Sequence, residues 1–481
     1  MSALALTRRL AEADSLRTVR EALTGLPGEA WIVGGAVRDA ILGRPLEHVD
    51  VDVVVKDDAQ AAARAVARAV RGPVFPLSEE FGAWRALDRD RQFSCDVSPL
   101  QGETIDEDLR HRDFTVNAVA VPLEGGEPID PTGGIADLEA GVLRVLGPGA
   151  YAADPLRPLR LVRLSTELGL APDAETERLT RDAAPRLTEP APERIFGELR
   201  RILIAPGAAE GLELAERLGV LPAVLPEIAA LRGVEQSRFH HLDVYEHTLE
   251  VLRRQIELEG RLEELFGEAA GPLWELLKEP LADDLTRLQA LRLGALFHDV
   301  AKPGTRGMRP DGRVTFIGHD SAGEEMAATV FRRLHTSERL RGFVGALARH
   351  HLVPGFLVKE RPLPTGAVYA YLKRCEPVEV EVTVLSCADR LATRGENSEK
   401  AIAAHLELAR ELIEPALAWR AAGPPKPPLR GDELMAELAM EPGPELGELL
   451  ERLEEAAYTG EAATREQALA LARRLRQDLR R

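Results

Sequence analysis

The run "WIVGGAVRDAILGRPLEHVDVDVVV", residues 31–55, admits few folds. Apolar strand-formers lead into Gly34-Gly35, a helical pattern follows, and a valine-rich strand closes a strand-turn-helix-strand unit. In the second strand Asp50 and Asp52 stand two apart, so both carboxylates leave one face about 7 Å apart. Val49, Val51 and Val53 then point to the core. Two like charges side by side are tolerated when a divalent cation lies between them and other oxygens, which makes both aspartates candidate magnesium ligands. Gly34 and Gly35 leave backbone amides open to a phosphate at the start of the helix, and Arg38 adds charge there. Asp96, in "FSCDVS" on a later expected strand, offers a third carboxylate. Gly-Gly, Arg-Asp and Asp-x-Asp in this order suit two-metal phosphoryl transfer, which needs an activated hydroxyl, a held triphosphate and a stabilised leaving pyrophosphate.

A chain of 481 residues is too long for one ordinary core, and domains of roughly 100–200 residues imply three or four. Residues 1–25 read as one amphipathic helix. "AWIV", "VDVVV", "PVFPL", "AWRAL" and "QFSCDVS" read as short strands, with an Ala-rich helix over 59–70. Beyond about residue 145 the pattern is helical, with Pro and Gly at the joints. The expected fold is multidomain α+β: an α/β head with a small mixed sheet (1–145), an all-helical neck (146–235), a helical metal-binding domain (236–400) and a helical tail (401–481). A proline cluster at 421–431 forms a stiff connector. The 61 basic and 79 acidic residues give a net charge of -18, which excludes non-specific coating of nucleic acid and confines any RNA contact to a local basic surface. Cys95, Cys375 and Cys387 show no CxxC spacing, so neither a disulfide framework nor a zinc ribbon is expected. No apolar run reaches the ~20 residues of a membrane span, so a soluble, cytoplasmic chain without a membrane partner is expected.

Eight of the 11 histidines fall between residues 240 and 351. His247, His298-Asp299, His319, His350-His351 and, further on, Asp389 each lie in an apolar helical context. An adjacent His-Asp inside "LGALFHDVAK" is costly to bury unless it coordinates a cation. Neutral imidazoles with carboxylates suit one or two transition-type divalent ions.

The segment "GGAVRDAILGRPLEHVDVDVVV" resembles the head motif of the class II tRNA nucleotidyltransferase and bacterial poly(A) polymerase family. In family order, "EDLRHRDFTVNAVAV" resembles the motif selecting ribose, through Arg112, Asp113 and Asn117. "DPTGGIADLEAGVLRVLG" resembles the hinge-like motif, "ADPLRPLRLVR" the nucleotide-reading helix, and "PERIFGELRRIL" the neck helix that braces it, with Arg194 and Glu198. The resemblance implies template-independent addition of nucleotides to a tRNA 3′ end, from CTP and ATP with Mg2+ in the head. Asp154, Arg157, Arg160 and Arg163, three apart, share a helix face, and an Asp with an Arg imitates a base edge by offering an acceptor and a donor fork. In the family an Asp and an Arg spaced as Asp154 and Arg157 do this. Arg157, Arg160, Arg163, Arg194, Arg200 and Arg201 are the expected phosphate-gripping stripe.

Two departures bear on specificity. Ala153 replaces the usual glutamate, and the segment from Asp96 to Asp108 is short where enzymes adding the whole CCA end carry a longer loop. Addition of CC only therefore stands beside addition of CCA. His247, His298-Asp299 and Asp389 resemble the HD phosphohydrolase superfamily, and His319 with His351, or His350, its two-metal members. That resemblance implies a linked phosphatase or phosphodiesterase. The competing readings are a poly(A) polymerase and an HD nucleotide hydrolase with a non-catalytic RNA-binding head. The intact Asp50, Asp52 and Asp96 argue against the last.

Overall fold

The computed structural model describes residues 3–46, 50–78, 82–90, 92–236, 242–393 and 398–479; Val49, His240 and His241 lie outside them. The chain forms two compact units, residues 1–224 and 225–481.

The first unit opens with α1 (Ala3–Glu12) and α2 (Asp14–Leu23). The stretch read as one helix breaks at Ala13, whose backbone is extended, so that α1 packs on α3 (Gly35–Ile41) and α2 on α4 (Ala59–Ala69). The strands β1 (Ala30–Val33), β2 (Val51–Val55), β3 (Val74–Ser78), β4 (Ala83–Leu87), β5 (Ser94–Pro99) and β6 (Ala120–Pro122) form one mixed sheet in the order β3-β4-β5-β2-β1-β6. β2 and β5 run parallel, and the other neighbours are antiparallel. Side chains alternate between two apolar clusters, as a strand period of two requires. Ile32, Val51 and Val53 join Leu10, Val19 and Val66 on one face. Trp31, Val33 and Val54 join Leu109 and Ala118 on the other, under α5 (Ile105–Arg110). Asp52 shares the face of Val54 and lies at the uncovered start of β2. The connection from β5 to α5 is five residues long, 100–104.

The helix Arg157–Leu168 starts with a proline in its first turn and stops at Gly169, whose φ of 71° suits a glycine C-cap. It packs against the helix Pro192–Ile204, burying Leu159, Val162, Leu199 and Ile202. Each such side chain contributes roughly 1.5–3 kcal/mol.

The second unit is built mainly of helices. Val244–Glu259, capped by the Asp243 side chain, and Arg287–Phe297, opened by a Thr286/Gln289 capping box, pack together with Glu338–His350 and Glu379–Leu391. Glu379 and Glu381, both fully buried, are held by Arg420 at 2.9 Å each, and Glu381 also by Arg287 at 2.7 Å. The last three helices, from Gly431 to Leu479, enclose a core of Leu434, Leu449, Leu453, Ala468 and Ala472. Among the described residues no helix is long and apolar enough to cross a membrane.

Candidate active sites

At the start of β2, register does what spacing alone could not. Asp52 pairs with Asp96 across β2 and β5, and with Val33 across β2 and β1. Gly34, next after Val33, has φ 69°, and a Cβ there would meet the Asp52 carboxylate at 2.7 Å. Glycine is thus required by backbone angle and by the approaching acid together. Asp50, exposed just ahead of the strand, accepts a hydrogen bond from the Ser94 hydroxyl. Burial, then the neighbouring Asp96 and Asp50, push the Asp52 carboxyl up to about 6, against the pull of Arg112 and Arg160. Carboxylate oxygens gathered on one edge of the sheet are the kind of ligand a hard divalent cation takes.

These acids line a cleft of about 890 Å³ with Gly34, Gly35, Arg38, Arg112, Asp113, Asn117, Arg157, Arg160, Arg163 and Arg201. Arg38 donates to Asn117 at 2.9 Å, Asn117 to Asp113 at 3.0 Å, and Arg160 pairs with Asp113 at 3.1 Å. Burial alone would raise Asp113, but Arg160 and Asn117 bring it below the ordinary carboxylate range. Arg112 pairs with Asp108 at 3.1 Å.

Asp154 precedes the reading helix and accepts from the Leu156 amide, while its other oxygen is held by Arg194 at 2.7 Å. Arg157 turns to the carbonyls of Ala150 and Arg112, at 3.0 and 3.2 Å. Of the expected arginine stripe, Arg163 is buried: it pairs with Glu198 at 2.6 Å and faces the helix Pro192–Ile204 instead of solvent. Arg201 is exposed but paired with Glu167 at 2.7 Å, and Arg200 is half-buried. Arg85 was not among the expected residues. It lines the same cleft from β4 and grips both oxygens of Asp96 at 2.6 Å.

In the second unit the six expected ligands converge. Asp299, 2% exposed, turns Oδ2 toward His298 (3.1 Å) and His247 (3.9 Å), and Oδ1 toward His319 (3.3 Å) and His351 (3.7 Å). Asp389 meets His247 at 3.1 Å. Two groups, His247-His298-Asp299 and Asp299-His319-His351, bring their ligand atoms within 4.8 Å of one another. His351 belongs to the cluster, whereas its neighbour His350 faces Arg374 and Arg349.

The fit to cations rests on tautomers. His298, His319 and His351 each set Nδ1 against the carbonyl three residues back, at 2.8, 2.6 and 2.7 Å, so Nδ1 donates its proton there and Nε2 is the atom turned inward, toward a proton or a metal ion. The Nε2 atoms of His319 and His351 lie 3.3 Å apart, and that of His298 is buried without a well-directed hydrogen bond. Two inward nitrogens at this distance need a proton or a cation between them. Burial alone would raise Asp389, but His247 takes it well below the carboxylate range; burial, with His298 and His319, lowers His351 to about 4. Lys302, also not foreseen, reaches Asp299 Oδ2 at 2.6 Å and Gln236 at 2.8 Å. Its place in "HDVAK", three after Asp299, was a readable signal.

Residues 30–101 and 89–144 match the poly A polymerase head domain, 169–231 the probable RNA and SrmB-binding site of polymerase A, and 244–394 the HD domain. The chain is 37% identical to an A-adding tRNA nucleotidyltransferase of Deinococcus radiodurans, over 95% of this chain and 97% of that one. It is 35% identical to a CC-adding tRNA nucleotidyltransferase of Thermus thermophilus, over 92% and 93%. Its fold is that of the Thermotoga maritima CCA-adding enzyme solved in complex with tRNA, with a TM-score of 0.61 and 20% identity over 97% and 98% of the two chains.

Proposed function

The chain belongs to the family of tRNA nucleotidyltransferases that carry a poly A polymerase head domain and an HD domain, and from that premise we propose that it adds nucleotides from CTP or ATP to the 3′ end of tRNA. The observation that carries this reading is the row of Asp50, Asp52 and Asp96 facing an arginine-lined cleft. Asp50 and Asp52 would hold Mg2+, which would supply the charge that activates the acceptor hydroxyl and screens the triphosphate. Arg38, Arg112 and Arg160 take the triphosphate oxygens, and the bare backbone at Gly34-Gly35 lets them come close. Asp113 and Asn117 bind the ribose and hold Arg160 and Arg38 in place. Asp154 and Arg157 read the base edge, with Arg194 releasing Asp154 when the base arrives. Arg200 and Arg201 receive phosphates of the RNA, and Arg163 keeps the reading helix in position from inside.

The five-residue connection between β5 and α5, together with Ala153, favours addition of CC only. The Deinococcus radiodurans relative supports a second reading, addition of the terminal A alone. Three tRNA transcripts, ending before the CCA, after C and after CC, are incubated with CTP, ATP or both. Two cytidines and a stop support CC addition. Extension of the CC-ended transcript alone, by one A, identifies an A-adding enzyme, and completion of CCA overturns both. Unlimited extension with ATP identifies a poly(A) polymerase.

The HD cluster supports a second activity, hydrolysis of a phosphoester. His247, His298, Asp299, His319, His351 and Asp389 would hold one or two transition-type divalent ions, which would supply an activated water.

A further inference from the structure

The register of the sheet sets four positions in a row across the catalytic edge. Val33, next to Gly34, pairs with Asp52, Asp52 with Asp96, and Asp96 with Arg85. Directly paired residues send their side chains to the same face, and neighbouring strands lie about 5 Å apart. Asp52, Asp96 and Arg85 therefore step outward over one face from β2 to β4. The cations set for a triphosphate lie on the other side of Asp52: Arg38 on α3, tied to Asn117 just before β6, and Arg160, paired with Asp113. Among the described residues that line the cleft, Arg85 is the cation on the β4 side, with its side chain about a third exposed.

An in-line displacement puts the attacking hydroxyl and the leaving pyrophosphate on opposite sides of the reacting phosphorus. With the triphosphate on the Arg38 side, the acceptor's terminal ribose comes in over β5, and the phosphodiester behind it extends toward β4. Arg85 uses two of its five N–H donors on Asp96 and has the remainder of the fork to present to a phosphate.

We infer that Arg85 is a positioning residue for the acceptor strand, binding the last phosphodiester of the RNA while Asp96 aims its guanidinium. This rests on the reading of the cleft as a nucleotidyl-transfer site. A purely structural cross-strand pair would affect folding and both substrates without preference, whereas a phosphate contact affects one substrate at one linkage.

The test uses the full-length enzyme, a tRNA transcript, and a matched acceptor whose last phosphodiester is an uncharged methylphosphonate. Arg85→Met is expected to raise KM for the natural acceptor about ten-fold, the worth of one charge-assisted contact, and to leave KM for the nucleotide nearly unchanged. Arg85→Lys is expected to recover part of the loss. The wild type should discriminate against the methylphosphonate, and Arg85→Met should not. Equal discrimination by both, or a rise confined to the nucleotide KM, overturns the inference. Should Arg85→Met melt at a lower temperature, Arg85→Gln, which removes the charge but keeps an N–H donor for Asp96, carries the same comparison. A wild type that extends no transcript with CTP or ATP removes the proposed function itself, an outcome distinct from failure of the Arg85 contact.

Discussion

Lys302 places a positive charge against the buried carboxylate at the centre of the second cluster, 2.6 Å from Asp299. Burial works to raise Asp299, and it is His298 and Lys302 that hold it well below the carboxylate range. Removing one partner of a buried pair typically costs about 3–5 kcal/mol. Lys302→Met is therefore expected to lower the melting temperature of the metal-free protein, and added Mn2+ should recover more stability in the variant than in the wild type. Equal melting of both proteins with and without Mn2+ would count against this. Single residues also show what sequence could and could not give. Asp52 declares itself because a strand's period is local, Gly34 because it opens the turn beside it, and Asp50 by its spacing from Asp52, although it lies just ahead of the strand that was expected to carry both. Arg85 acts through the register between β4 and β5, which no stretch of either strand encodes alone. Arg163 continues the i, i+3 row of Arg157 and Arg160, yet it turns inward because the neck helix supplies Glu198.

Helices fix the next level. The reading helix is fastened to the neck by two ion pairs, Arg163 to Glu198 and Asp154 to Arg194, one buried and one at the surface. Glu198→Gln should destabilise the first unit, in keeping with the cost of about 3–5 kcal/mol for breaking a buried pair, and should raise KM for the nucleotide. Urea unfolding and steady-state kinetics measure the two effects, and an unchanged midpoint would contradict the brace. On the helix Ser398–Ala422, His405 is buried against Ser386 at 3.0 Å, and burial, with Arg390, lowers it to about 4. Its folded value lies below the unfolded one, so the unfolded chain binds more protons between about 6.5 and 4. Stability is then complete above about pH 6.5 and is lost as pH falls through that window. His405→Gln should flatten that part of a melting-temperature profile against pH. The element types were legible from pattern, strands as short apolar runs and helices by their period between Pro and Gly joints. The break at Ala13 was not, because it answers to the packing of α1 and α2 on different helices of the sheet's cover.

Each of the two compact units carries its own cluster of chemistry, so single substitutions should separate the activities. Asp52→Asn is expected to reduce nucleotide addition by about a thousand-fold or more while phosphoester hydrolysis persists, and Asp299→Asn to do the reverse. Loss of both activities in one folded variant would show that the assignment of one reaction to each unit is mistaken. The overall charge of -18 also has a local counterpart, since Arg38, Arg85, Arg112, Arg160, Arg163 and Arg201, which line the cleft, each have an acid already in contact. The cleft thus resembles a row of sockets already half wired. A phosphate entering it shares an arginine with the carboxylate already bound and takes the N–H donors that the acid leaves unused. The acids then act as a jig: each fixes the direction in which its arginine can still donate, and so the places along a polyanion where a charge is met.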